Sequence, residues 1–145
     1  MTEIKNRSAF HEYFIEEKYI AGLSLVGTEV KSLRDGRASF NDSYCLFNKG
    51  EMYIRSLHIS EYTKGTSNNH DPVRERKLLL LKKELRKIEG KMKEQGYTII
   101  PLRIFFSEKG LAKMEIALAK GKKLHDKRDS IRQRESEREM KRFLK

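Results

Sequence analysis

The feature that most constrains this chain is the place where its packable side chains stop. From Lys120 to Lys145 the only large aliphatic or aromatic residues are Leu124, Ile131, Met140, Phe143 and Leu144. They are too few and too scattered to cover one side of a helix. The same segment holds 11 Lys and Arg against 5 Asp and Glu, a net of +6 out of the chain's +11. A stretch so charged and so poor in apolar surface cannot offset the entropy of ordering itself. It is expected to be disordered when free and able to fold on a partner. What folds alone is therefore residues 1–119, one domain in size, with the remaining +5.

Within that body the apolar residues come in short runs between turn signals. No pure apolar run exceeds four residues, as in Leu78 to Leu81, so neither a transmembrane helix nor a signal peptide is expected. Residues 13–27 read as two short strands broken at Ala21-Gly22. Gly27 to Gly36 reads as a helix of one or two turns, with Thr28 as cap, Glu29 in the first turn and Val30 and Leu33 pointing inward. Residues 39–48 and 51–59 flank a hairpin turn at Asn48-Lys49-Gly50-Glu51. Residues 60–69 read as a loop. Asp71-Pro72 then looks like the start of one long helix, since Asp caps well and Pro suits the first helical position. Leu78, Leu81, Leu85, Ile88 and Met92 would form its buried stripe, and Gly96 would end it. Residues 97–106 and 111–119 make a second hairpin around Ser107 to Gly110. About six short strands and one packed helix predict a mainly β fold: a small antiparallel barrel of the oligonucleotide-binding kind with flanking helices.

Lys and Arg number 32 against 21 Asp and Glu. An excess of this size favours a polyanion as partner, because each neutralised phosphate releases counterions. A membrane surface would ask for an amphipathic terminal helix that the sequence does not offer. Cys45 stands alone, which excludes an internal disulfide and every multi-Cys zinc site, and it reads as a half-buried strand residue. No cofactor or metal is expected. A metal-dependent nuclease would have to use His11-Glu12, His70-Asp71 or His125-Asp126. Nothing in the sequence brings those pairs together. His58, between Leu57 and Ile59, reads as a strand residue on the polar face. A ribosomal or general RNA-binding protein is the nearer alternative.

On a helix at 100° per residue, Lys127, Arg134, Arg138, Lys141 and Lys145 fall within roughly 60° of one another, and Glu135, Glu137 and Glu139 fall outside that stripe. Such a stripe suits an RNA groove. The bland alternative is a solvated helix laced by pairs such as Glu137 with Lys141, but that helix would have no apolar face to dock on its own body. Lys122, Lys123, His125, Lys127 and Arg128 make the segment ahead of the stripe denser still in cations, and Asp126 is placed to cap a helix or accept from a base amino group.

Three stretches, in order, carry a resemblance: Gly27-Thr28-Glu29-Val30-Lys31-Ser32-Leu33-Arg34, His70-Asp71-Pro72-Val73-Arg74-Glu75-Arg76-Lys77-Leu78-Leu79-Leu80, and Ala119-Lys120-Gly121-Lys122-Lys123-Leu124-His125-Asp126-Lys127-Arg128. With Asn6-Arg7 and His11 to Ile15 they make the chain resemble the small protein B family of tmRNA-binding proteins. The resemblance implies a cytoplasmic, non-enzymatic protein acting as a monomer. It implies a barrel that grips the tRNA-like domain of tmRNA, an RNA on which elongation factor Tu with GTP and alanyl-tRNA synthetase also act. It implies a tail that becomes helical in the empty mRNA channel and decoding centre, against small-subunit rRNA of a stalled ribosome, so that the nascent peptide is tagged. By motif match it assigns Asn6, Arg7, His11, Glu29, Lys31, Arg34, Arg76, Lys77, Leu79 and Lys113 to RNA binding by the body. The tail's ribosome contacts would be Lys122, Lys123, His125, Asp126, Lys127, Arg128, Arg134, Arg138 and Lys141. One position departs: Ile20 stands where the family often has an acidic residue.

Overall fold

The computed structural model describes residues 3–62, 69–94 and 96–121. The central part of the expected loop, 63–68, lies outside these, as do the tail positions from Lys122 onward. The elements are β1 (Glu3–Lys5), α1 (Ala9–Glu12), β2 (Tyr13–Leu23), α2 (Gly27–Arg34), β3 (Ala38–Ser39), β4 (Tyr44–Asn48), β5 (Glu51–Arg55), β6 (His58–Ile59), β7 (Arg76–Leu79), α3 (Lys82–Met92), β8 (Tyr97–Phe106) and β9 (Ala112–Gly121). Seven strands form one sheet in the order β1-β8-β9-β2-β7-β5-β4, every pairing antiparallel, while β3 pairs with β6 apart from it. The sheet curls until β4 lies near β8 across the interior. This is the mainly β, barrel-like body with flanking helices that the sequence predicts.

Alternation decides which residues go inside. Ala21 and Leu23 of β2, Leu78 of β7, Met52 and Ile54 of β5, and Met114, Ile116 and Leu118 of β9 form one core. Leu33 of α2 and Leu85 and Ile88 of α3 join it, so both helices lie against the same interior. Each such side chain contributes about 1.5–3 kcal/mol of hydrophobic burial. The β4–β5 hairpin turns at Lys49 (φ 55°) and Gly50 (φ 81°), two positive φ values in a row, as a type I′ turn requires.

Two expectations are corrected. Ala21-Gly22 does not break β2. The strand runs straight through, Ala21 is fully buried, and Gly22 pairs with Lys113 on one side and Leu79 on the other. Its irregularity lies instead at Glu16, between the paired residues Ile15 and Glu17. The long helix begins at Lys82, not at Asp71-Pro72. Asp71 does initiate a turn, its Oδ1 accepting from the Val73 amide at 3.0 Å. Then Arg76 to Leu79 become a strand: Arg76 and Leu78 are buried, and Leu79 faces out. Leu78 satisfies a helical stripe and a strand alternation equally well. The gap between β2 and β5 decides for the strand, because both edges need backbone partners. Leu81 is exposed, while Leu85 and Ile88 keep the buried stripe.

Candidate nucleic-acid interface

The outer face of the barrel is half covered. Helix α1 lies on it through Ala9, which packs with Ile100, Leu102, Ala117 and Ala119. Beyond α1 the register sets out two bare rows. One runs Lys5, Arg103, Glu115, Ile20 from β1 to β2, and the next runs Glu3, Phe105, Lys113, Gly22, Leu79 from β1 to β7. The acid in the first row is neutralised in place: Arg103 Nε donates to Glu115 at 2.9 Å while its Nη1 donates to Glu3 at 3.0 Å. The Arg103 guanidinium also stacks 4.2 Å from the centre of the Phe105 ring. Lys77 sits on the same outer side of β7, with Glu51 3.6 Å away.

Beside this face stands α2, and its attachment is ionic. The Glu29 carboxylate is wholly buried. Its Oε1 accepts from the Val26 amide at 2.9 Å and Arg74 Nη2 at 2.7 Å, and its Oε2 from Arg74 Nε at 2.8 Å and Arg76 Nε at 2.6 Å. Burial alone would raise the Glu29 carboxyl's pKa, but these donors outweigh it and hold the group below its ordinary value. Arg76, 1% exposed, also donates to the carbonyls of Leu57 (2.7 Å) and Pro72 (3.1 Å). A second tie runs through His70. The Ile59 carbonyl, 2.8 Å from Nε2, can only accept, so Nε2 carries the proton and Nδ1 accepts from the Thr28 hydroxyl at 2.8 Å. Thr28 therefore binds a histidine and does not cap its helix. The N-cap is Val26, and Glu29 reaches back to its amide.

The sequence-predicted residues fall into three groups. Lys31, Arg34, Lys77, Leu79 and Lys113 surround α2 and the end of β2. Lys31 lies over the Tyr62 ring at 5.5 Å, and Arg34 donates to the Gly110 carbonyl at 3.3 Å and stacks on Phe106. Asn6, Arg7 and His11 gather at α1, where Asn6 Nδ2 donates to the Pro101 carbonyl at 2.8 Å. Asn6 and Arg7 help line an open cleft of about 670 Å³ with Tyr13, Asn41 and Tyr44. His11 precedes β2, an 11-residue strand roughly 30 Å long, and Lys31 follows it. Glu29 and Arg76 form the third group. They are buried, and their contact ties α2 to β7. The sequence does not single out Arg103 or Phe105, and marks Arg74 only as part of a motif; Ile20, a departure from the family pattern, lies in the first bare row. Arg103 and Phe105 alternate with buried Ile104, a signal that was present but is shared with any amphipathic strand.

Among the described residues no group of three or more His, Cys, Asp or Glu gathers to hold a metal ion, and no helix is long and apolar enough to cross a membrane. His11-Glu12 is exposed on α1 and His70 is buried and engaged on both nitrogens. Cys45 is fully inside β4, and burial pushes its thiol pKa up.

A small, basic, curled antiparallel barrel with a cationic and aromatic outer face is the architecture of an oligonucleotide-binding-type body. Comparison with known proteins refines this. Residues 3–145 match the model of the SmpB protein family. The SsrA-binding protein of Geobacter sulfurreducens is 53% identical over 97% of this chain and 91% of its own length, and that of Parabacteroides distasonis 52% identical over 99% and 94%. A solved chain described as "tmRNA-SmpB: a journey to the center of the bacterial ribosome" superposes with a TM-score of 0.71 at 49% identity, over 84% of this chain and 85% of that one. The chain belongs to the SmpB protein family.

Proposed function

We propose that this protein binds tmRNA, through its tRNA-like domain, and carries it to stalled ribosomes for trans-translation. The observation that carries the reading is identity above 50%, over nearly the whole length, to proteins named for binding SsrA, together with a fold shared with the SmpB of a tmRNA complex. The outer face adds the physics. Recognition of folded RNA needs phosphate contacts and a few stacking contacts, not base reading along a duplex, and cations interleaved with Phe105, Ile20 and Leu79 supply both kinds.

In this reading the body binds as a single copy in the cytoplasm and catalyses nothing. Lys31, Arg34, Lys77, Leu79 and Lys113 meet the tRNA-like domain. Asn6, Arg7 and His11 form a separate contact at α1. The tail residues Lys122 to Arg128, with Arg134, Arg138 and Lys141, meet small-subunit rRNA in the mRNA channel and decoding centre. Elongation factor Tu with GTP and alanyl-tRNA synthetase act on the same RNA. The test is a tmRNA titration at several salt concentrations. The triple variant Lys31→Ala, Arg34→Ala, Lys113→Ala should fold, bind more weakly, and show a shallower salt dependence by ~0.7–0.9 log units per lost phosphate contact. Binding as tight as the parent's at every salt concentration would show that the chosen surface is wrong. Arg76 is left out of the set because its loss would act through folding.

A further inference from the structure

We infer that the exposed side of α3 is a second phosphate-binding surface of this body, and that it meets ribosomal RNA while the outer face holds tmRNA. The inference deepens the proposed function and rests on it.

Helix α3 packs on the inner side of the sheet. Leu85 and Ile88 enter the core with Ala21 and Leu78, whereas α1 and the bare rows lie on the outer side. The solvent side of α3 is therefore turned away from the outer face, and it is cationic. At 100° per residue Lys82, Lys83, Arg86, Gly90 and Lys93 share an arc of roughly 100°, opposite Leu85 and Ile88. All five are exposed, and Lys93 is the C-cap.

Two observations set this row apart from an ordinary solvated helix face. The first is that its cations are left unneutralised. Lys87 and Lys91, off the row, lie 3.5 Å from Glu17 and 3.6 Å from Glu16. Among the described residues Lys82, Lys83, Arg86 and Lys93 make no ion pair, although Glu89 lies one turn from Lys93. The second is Gly90, which sits inside the helix and in the middle of the row. Glycine is a poor helix former, and nothing in the fold asks for it here: a Cβ at Gly90 would meet nothing within 4 Å. The missing side chain leaves bare backbone between the cations, where a phosphate strand can lie close.

The tail decides which RNA. Lys91 of α3 and Lys120 of β9 lie over the same Tyr97 ring, 5.7 Å and 4.7 Å from its centre. The last turn of α3 is thus beside the point where the tail leaves the sheet, and the RNA that the tail enters passes next to it. In the proposed function that RNA is ribosomal. A backbone strand laid along the row would meet its cations without any base being read.

The experiment uses the full chain and ribosomes stalled on truncated message and freed of tmRNA. The triple variant Lys82→Ala, Arg86→Ala, Lys93→Ala should melt like the parent, since alanine favours a helix. It should bind these ribosomes roughly ten-fold more weakly, with a salt dependence shallower by ~0.7–0.9 log units per lost contact. It should bind isolated tmRNA within about two-fold of the parent, because the outer face is untouched. Gly90→Leu should weaken ribosome binding alone, by blocking close approach, and melt no lower than the parent. Iron-EDTA tethered at Lys83→Cys, with the buried Cys45 staying unlabelled, should cut ribosomal RNA in the full complex and leave tmRNA uncut. Parent-like ribosome binding by either variant overturns the inference. So does equal loss in both binding arms, cutting confined to tmRNA, or cutting of neither RNA. A parent that binds these ribosomes but not tmRNA would sink the functional reading instead, and the ribosome arm would still judge α3.

Discussion

Glu29→Ala is expected to destabilise the protein by about 3–5 kcal/mol, the cost typical of removing one partner from a buried ion pair. The carboxylate is the common acceptor for two guanidiniums, and Arg76 beneath it is 1% exposed. Alanine there strands a buried cation and unties α2 from β7. The double variant Glu29→Leu, Arg76→Met should recover most of that stability, because it removes both charges and fills the space with carbon. Acid should act like the single variant. The folded-state pKa of Glu29 is depressed, so its contribution is fully present above the unfolded carboxylate value of about 4.3. It is lost as pH falls below that value and through the folded pKa. Urea titration of parent and variants, at neutral pH and stepwise down to pH 3, checks each statement. A Glu29→Ala protein within 1 kcal/mol of the parent at neutral pH would mean that the triad does not hold α2 in place.

Cutting the chain after Gly121 should leave folding and tmRNA binding nearly intact and abolish peptide tagging. The cut belongs at Gly121 and not at 119, because β9 continues two residues further. Lys120 pairs with Tyr97 and Phe14, and Gly121 pairs with Tyr13. The Lys120 ammonium lies 4.7 Å from the centre of the Tyr97 ring, and the Tyr97 hydroxyl donates to Glu16. Residues 1–121 thus keep the whole sheet and the outer face, and lose only the cationic segment assigned to the ribosome. Within the full chain, Asp126, Lys127 and Arg128 changed together to Ala should keep binding and lose tagging. Charge reversal of Arg134, Arg138 and Lys141 should do the same, whereas reversal of Glu135 and Glu139 should matter little. The assay pairs a tmRNA titration with reconstituted tagging on ribosomes carrying truncated message. Joint loss of binding and tagging on truncation would refute the division of labour, and equal sensitivity of the two sides of the tail would refute the stripe.

Much of the body was legible because turn chemistry is local. Asn48 to Glu51 and Ser107 to Gly110 announce their hairpins through residues that tolerate positive φ, and Gly50 and Gly110 adopt it at 81° and 83°. Helix α2 was legible from its flanking glycines and from Leu33. The start of α3 was not, because Leu78 and Leu81 fit a helical stripe until one knows that β2 and β5 need a strand between them. That need is tertiary and leaves no mark on residues 76–79. The same limit explains Ala21-Gly22: small residues break a strand or let one pass close to its neighbours, and only the neighbours decide. Lys31, Arg34 and Lys113, expected by motif match, do reach the surface at α2 and on the outer face of β9. Glu29 and Arg76 share those motifs yet lie inside, since burial of a charge depends on partners 45 and more residues away.

The central claim is tested most directly by capturing the tagged full-length protein from its own cells, washing the complex at high salt, and sequencing the RNA retained. The account predicts one small structured RNA, tmRNA, in near-equal amount to the protein, with ribosomes released by the wash. Retention on washed ribosomes in stoichiometric amount, with tmRNA no more abundant than in the lysate, would identify a ribosomal constituent instead and contradict it.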